Sequence, residues 1–411
     1  MGTFEPQDMF RPLRKRRGAR RAATASMTQS TLIDLRLAGR GAIWAATLAA
    51  VLALGACGGG GGGSAPPPVP EPSTPEPPPQ PPAPPANVET ALRQLTDRVL
   101  VRAVRDFRAQ AQTIAEASAA FCSSGAGSVK ALQDHWKSLY ERWFALANYV
   151  FGPLSDNIVT PQFIFIDGLR LRGTDYTNTV RDEIAADIAR TNTLDKTYFD
   201  AKTFQRVGLL ALEVTLFETA TGERSPELAN IEAEFAATPR KCAVLTGLAQ
   251  SLSGRAQYVQ DGWLRRHRNA QKPYRDLFLA GQLDEGREPL AQLIIGAQAH
   301  LEYLQARRVA VVGAQRSGHV WTALGAAIDS LEALLGGAGD NSVSLFDVMK
   351  QRGEGAVVDK VGETIAAIRA AIRGEDPTML EIRLGQLDGN FKREIADGLG
   401  VKLGITFADG D

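Results

Sequence analysis

From residue 92 onward, apolar side chains return every three or four positions. Leu92, Leu95, Val99, Ala103, Phe107, Ala111 and Ile114 form the first such stripe. At about 3.6 residues per turn, that spacing places them on one face of a helix. Ser123-Ser124-Gly125 ends it. A second helix is predicted from about Ser128 to Val150, with Leu132, Trp136, Leu139, Trp143 and Leu146 in the same rhythm, and Phe151-Gly152-Pro153 stops it. Residues 154–178 lose the period and hold Pro161, Gly168 and Gly173. A loop of that length inside a domain is usually functional or a lid. Helical patterning resumes at Thr179–Arg190, Asp195–Thr219, Pro226–Ala236 and Pro239–Trp263, then at Glu288–Val311, Gly318–Leu335 and Val357–Ile372. Pro377 suits the first turn of a last helix that ends near Gly398. No stretch alternates long enough to build a sheet, although Val401–Phe407 suits a short extended tail. The expected fold is all-α, two packed up-down helical bundles covering residues 87–264 and 265–411.

The chain before residue 87 follows other rules. Arg36 and Arg40 precede an apolar run from Ala42 to Leu54, and Leu54-Gly55-Ala56-Cys57 follows. A positive stretch, a short apolar stretch and small residues form the anatomy of a signal peptide, here residues 1–56. The run is shorter than the roughly 20 residues a membrane-spanning helix needs. The Leu-Gly-Ala-Cys ending resembles the bacterial lipobox, which implies that Cys57 is the lipidated first residue of the mature chain. Arg11, Arg14, Lys15, Arg16, Arg17, Arg20 and Arg21 form a basic block ahead of Met27. Translation starting at Met27 would give a signal of ordinary length and leave residues 1–26 without a role.

Residues 57–86 read as a tether. Gly58 to Gly63 is a flexible coil, and the proline-rich run from Pro66 to Pro85 is a semi-rigid spacer. Twenty such residues reach about 60 Å. Gly58 stands where an aspartate would favour retention at the inner membrane. The expected address is therefore the cell envelope of a Gram-negative bacterium, lipid-anchored to the outer membrane and facing the periplasm.

The formal net charge of zero hides an asymmetry. Nine of the 46 basic residues and three of the 46 acidic ones lie in residues 1–56, which leaves 37 and 43 in the remainder, a net of −6. No basic field is left to attract nucleic acid. Beyond Cys57 there are two cysteines, Cys122 and Cys242. In an oxidising compartment an even pair suggests a disulfide, and each lies near a predicted helix end.

Chemistry concentrates at Gly208-Leu209-Leu210-Ala211-Leu212-Glu213. One carboxylate stands in an apolar run, and an unpaired buried charge costs several kcal/mol. Glu213 must reach water, pair or bind something. An arginine such as Arg316 is one candidate partner. Ser317 reads as a helix N-cap. Asp156, after the Gly-Pro turn, is a candidate second carboxylate beside Glu213, and such a pair would suit a hard cation such as ferric iron.

Gly208–Glu213 resembles the G-x-H-x-x-E signature of the imelysin family, also called the M75 peptidase family. Arg316-Ser317-Gly318-His319, followed by Leu324, Ile328, Leu331 and Leu335, is similar to the start of that family's second half. Residues 399–411 resemble its C-terminal tail, and Trp136, Trp143 and Phe151-Gly152-Pro153-Leu154 fit its first-half pattern. The resemblance covers about residues 88–411. It implies two α-helical bundles, a secreted or lipid-anchored protein, an association with iron acquisition, and metallopeptidase activity in some members. Glu213, Asp156, Arg316 and Ser317 are then the candidate ligand-binding residues, with Glu213 the candidate metal ligand. The departure is Leu210, which stands in the place of the histidine and can neither ligate a metal nor carry a proton.

The rest of the chain offers little for catalysis. It has no His-Glu-x-x-His helix and no G-x-S-x-G. Its histidines are His135, His267, His300 and His319, and no two are spaced for one helix face. His267, inside Arg265-Arg266-His267-Arg268, reads as solvated. His135 reads as a helix-surface or core-edge residue, and His319 is a candidate to rejoin the site. Three readings follow. The first is a non-catalytic ligand- or metal-binding envelope lipoprotein linked to iron acquisition, its partners the membrane, iron or an iron-uptake component. The second is a metal-dependent peptidase with a rearranged site. The third is a structural or partner-binding module.

Overall fold

A computed structural model describes residues 87–156, 161–168, 175–219, 227–283, 286–339 and 342–403. The expected signal segment, Cys57 and the expected tether lie outside the described residues. Every regular element among the described residues is helical. α1 (Val88–Leu95) passes through one π-turn (Thr96–Leu100) into α2 (Val101–Ser124). Asn87 caps α1 by accepting from the Thr90 N–H at 2.6 Å, and Gly125, with φ of +69°, ends α2. α3 (Val129–Leu146) is capped by Ser128. α4 (Gln162–Ile166), α5 (Thr177–Ala189), α6 (Lys196–Asp200) and α7 (Gly208–Phe217) follow. α8 (Leu228–Ala237) and the long α9 (Pro239–Leu264) close the first half.

The second half comprises α10 (Tyr274–Leu279), α11 (Pro289–Ala306), α12 (Val309–Val312), α13 (Val320–Gly336), α14 (Leu345–Gln351), α15 (Gly355–Arg373) and α16 (Pro377–Asn390). α16 runs on through a π-turn into the last turn, α17 (Ala396–Gly398). The long helices agree with the periodic stripes. Three expected stretches break or fill in. Asp195–Thr219 is α6 and α7 separated by Ala201–Val207, because Gly208 turns the chain at φ of +83°. Glu288–Val311 is interrupted at Arg307–Arg308, where Arg308 has φ of +49°. The irregular stretch 154–178 contains α4. α14 went unforeseen although Ser344 and Asp347 form a capping box that marks its start.

α2 packs between α3 and α9, α3 lies on α13, and α11 and α15 both lie on α16. Trp136, Trp143, Trp263, Phe107 and Phe144 are fully buried there. The expected division after residue 264 falls at the end of α9, yet elements from both sides interlock. The Asn148 amide donates to the Ala327 carbonyl at 2.9 Å, and the Tyr149 hydroxyl lies 2.9 Å from that of Ser330. Cys122, in the last turn of α2, is disulfide-bonded to Cys242 in the first turn of α9, with a Cα–Cα distance of 5.4 Å. Of the proposed tail, Val401–Leu403 has no regular structure and residues 404–407 lie outside the described residues.

Candidate functional site

α7 is buried on every face, so its sequence carries no amphipathic stripe. Its start is fixed by backbone contact. A Cβ at position 208 would lie 2.4 Å from the Phe165 carbonyl oxygen and 2.6 Å from that of Ile166. Only glycine fits both that approach and the left-handed φ. The Trp136 indole N–H donates to the Leu209 carbonyl at 3.0 Å and ties α3 to the same turn. Leu210, one residue on, is buried among apolar neighbours.

Glu213 is 2% exposed. Its Oε1 accepts from the backbone N–H of Arg316 at 3.1 Å, from that of Ser317 at 3.0 Å, and lies 3.0 Å from the Ser317 hydroxyl. These donors come from the turn between α12 and α13, where Ala314 holds a positive φ of 44°. Such backbone costs roughly 1 kcal/mol or more and persists only where its surroundings demand it. Here it aims two consecutive N–H groups at one oxygen. Burial pushes the Glu213 carboxyl above its ordinary range, and the bonds from Ser317 and the Arg316 charge offset this only in part.

The expected Glu213–Arg316 ion pair is not what forms. The Arg316 backbone reaches Glu213, while its guanidinium Nε donates to Glu218 Oε1 at 2.7 Å. Arg181 adds a two-pronged bond to Glu218, at 2.7 and 2.8 Å. Burial raises the Glu218 carboxyl, but the two arginines outweigh it and hold it below its usual range. Ser317 likewise does not cap α13, since its hydroxyl faces Glu213 and the Ala314 carbonyl.

A second buried carboxylate lies near. Asp167 Oδ2 accepts from the Trp143 indole at 3.1 Å and from the Tyr303 hydroxyl at 2.9 Å. Tyr140 lies within electrostatic reach of both acids. Its hydroxyl is buried with no hydrogen-bond partner among the described residues. Burial, then the charges of Asp167 and Glu213, raise its pKa well above the ordinary tyrosine value. His300 packs edge-on to Phe144 and stacks with Tyr303. The site therefore spans both halves of the chain. Sequence reasoning missed Tyr140, Asp167, Arg181, Glu218 and Tyr303. The one available signal was the pair of acids that end the apolar runs, Asp167 after Ile166 and Glu218 after Phe217.

Asp156 does not join this group. Its partners are Tyr258, His267 and Arg268. His267 is consequently buried at 5% exposure, not solvated as its basic neighbours suggested. His319 pairs with Glu141 at 2.6 Å. His135 is half-buried, and its carbonyl accepts from Gln110.

The three partners of Glu213 Oε1 are hydrogen-bond donors, and a cation at that oxygen would have to displace them. Among the described residues no group of three or more His, Cys, Asp or Glu could hold a metal. The arrangement can instead lock two chain segments together.

The family model for Peptidase M75, described as imelysin, matches residues 101–399. An imelysin-like protein from Psychrobacter arcticum 273-4 has a similar fold, with a TM-score of 0.56 at 16% identity, covering 77% of this chain and 96% of that one. A putative iron-regulated protein A precursor from Parabacteroides distasonis ATCC 8503 gives a TM-score of 0.52 at 14% identity, covering 76% and 93%. No curated protein matches.

Proposed function

This chain belongs to the imelysin family, and from that premise we propose that it is a non-catalytic binding protein of the cell envelope connected with iron acquisition. The observation that carries the non-catalytic half is the use made of Glu213. Its Oε1 is engaged by Arg316 and Ser317, and Leu210 occupies the position of the family's histidine. A hydrolytic zinc site needs three protein ligands and an open position. The iron connection rests on the family and on the iron-regulated protein of similar fold. The lipobox-like Cys57 and the tether support anchoring to the outer membrane, with the folded part in the periplasm.

Deletion of the gene tests the iron connection. Growth of the deletion strain should fall under iron limitation and recover with the wild-type gene. Recovery should be weaker with Cys57→Ala, whose product cannot be lipidated. Equal growth of deletion and parent strains when iron is scarce would remove the connection. Chelator-sensitive peptide cleavage by the purified protein would overturn the non-catalytic reading. The same locked Glu213 also favours a second reading, a module that binds a protein partner and in which Glu213 is purely structural. A Glu213→Gln variant that folds and fully complements would favour that one.

A further inference from the structure

Where α2, α3 and α13 meet, they leave an open groove of about 250 Å³. Val99, Ala103, Ala145, Ala326 and Ala333 supply its apolar lining. Side chains that short do not fill the space between three helices, so the seam stays hollow. The Ser330 hydroxyl also lines it but is spent on the Ala145 carbonyl at 2.9 Å. At about 30 Å³ for each water, the groove holds solvent equal to roughly eight molecules, which is room for a short organic molecule.

Three arginines border this lining. Arg98 and Arg102 come from the wall formed by the π-turn and the start of α2, and Arg142 comes from α3. π-turns are rare and recur at functional sites. Arg98 and Asp106 bound that wall, about 12 Å apart by the helical rise. The Phe107 and Trp143 rings pack 5.5 Å apart, so Arg142 stands across from the far end of the wall. Arg98 and Arg142 are exposed and make no hydrogen bond or ion pair among the described residues. The two acids of the lining are turned to other arginines. Asp329 is paired with Arg369 at 2.5 Å. Asp106 lies 3.7 Å from Arg102, an exposed contact that adds little.

We propose that this groove binds a short aliphatic dicarboxylate, with one acid group on Arg98 and the other on Arg142. It shares no residue with the Glu213 site. A guanidinium fork matches a carboxylate in two-pronged geometry, and the methyl-lined seam between the arginines covers a hydrocarbon chain. Each arginine is long enough to lean inward, which brings their separation within the length of a six-carbon diacid. A single acid would satisfy one arginine only, and a neutral molecule neither.

Isothermal titration of the purified full chain compares adipate with hexanoate, which lacks the second acid, and with adipamide, which lacks both charges. One adipate should bind saturably, at least about tenfold tighter than either analogue, the scale set by one charge-assisted bond. Arg98→Gln and Arg142→Gln should each erase the advantage of adipate over hexanoate, because either change leaves one acid group unanswered. Both side chains are exposed, so these variants should melt with the parent. Arg265→Gln removes an exposed arginine outside the groove and should leave the advantage intact. The proposal is overturned by no saturable adipate binding up to about 10 mM, by hexanoate or adipamide binding as tightly as adipate, by an adipate advantage that survives both groove variants, or by an equal loss in Arg265→Gln.

Discussion

Ser317 gives Glu213 two donors, its backbone N–H and its hydroxyl, each 3.0 Å from Oε1 and 104 residues away in the chain. The bond staples α7 of the first half to the turn that opens α13 in the second. Glu213→Ala would leave the N–H groups of Arg316 and Ser317 without their acceptor. It should lower stability by roughly 2–4 kcal/mol in urea denaturation. Glu213→Gln keeps an acceptor oxygen and should cost about 1 kcal/mol. An alanine variant within about 0.5 kcal/mol of the parent would show that the staple contributes nothing to stability.

The two glutamates of α7 and its C-cap should pull the pH profile in opposite directions. Glu218 is held low by Arg181 and Arg316. Its contribution is complete above the unfolded carboxylate pKa of about 4.3 and is lost as pH falls through the lower folded value. Glu213 is raised by burial. The folded state keeps its proton longer, so its contribution is fullest below the unfolded pKa and shrinks as pH rises through the folded value. Unfolding free energy measured from about pH 3 to 7 should therefore lose part of its acid-side fall in Glu218→Gln. Glu213→Gln should lose the decline on the neutral side. Identical profiles for the parent and both variants would contradict both shifts.

Reduction of Cys122–Cys242 should destabilise the protein. The bridge spans 120 residues, for which chain entropy gives nearly 5 kcal/mol as an upper figure. A fall in melting temperature in dithiothreitol, reproduced by Cys122→Ser with Cys242→Ser, is the expected result. A double variant that melts with the oxidised parent would show that the cross-link adds no stability.

Gly208→Ala should be among the more damaging small substitutions. Its Cβ would meet the Phe165 carbonyl oxygen at 2.4 Å, and the residue would have to hold φ of +83°. A loss of roughly 2–4 kcal/mol is expected from the clash and the strain together. Gly125→Ala has a positive φ but nothing within 4 Å, and should cost about 1 kcal/mol. Equal losses in the two variants would mean that contact with Phe165 and Ile166 is not what fixes Gly208.

Leu210→His restores the family's motif residue, yet it should not create a metal site. The imidazole would enter an apolar slot, at a cost of about 1–3 kcal/mol, and Glu213 Oε1 would still be occupied by its three donors. Zinc or iron binding by this variant tighter than about 1 μM would show that the donors yield to a cation.

Much of the helical framework was legible before folding. The stripes in α2 and α3 are amphipathic, Gly125 marks the end of α2, and Pro239 and Pro377 mark the first turns of α9 and α16. The helices that carry the site were harder to read. α7 is apolar all round, so its residues show no period from which to find a start. Its boundary comes from contact with Phe165 and Ile166, carbonyls that the sequence places some 40 positions earlier.

The sequence by itself determined the fold class, the family and the disulfide pair, because each rests on local spacing or on a rare residue type. Tertiary structure alone decided who partners whom. It gave the Arg316 side chain to Glu218 and its backbone to Glu213, sent Asp156 to His267, and buried a histidine that sits among arginines. Burial makes charges and donors choose partners by distance in space. Residues about 100 positions apart leave no mark of that choice along the chain.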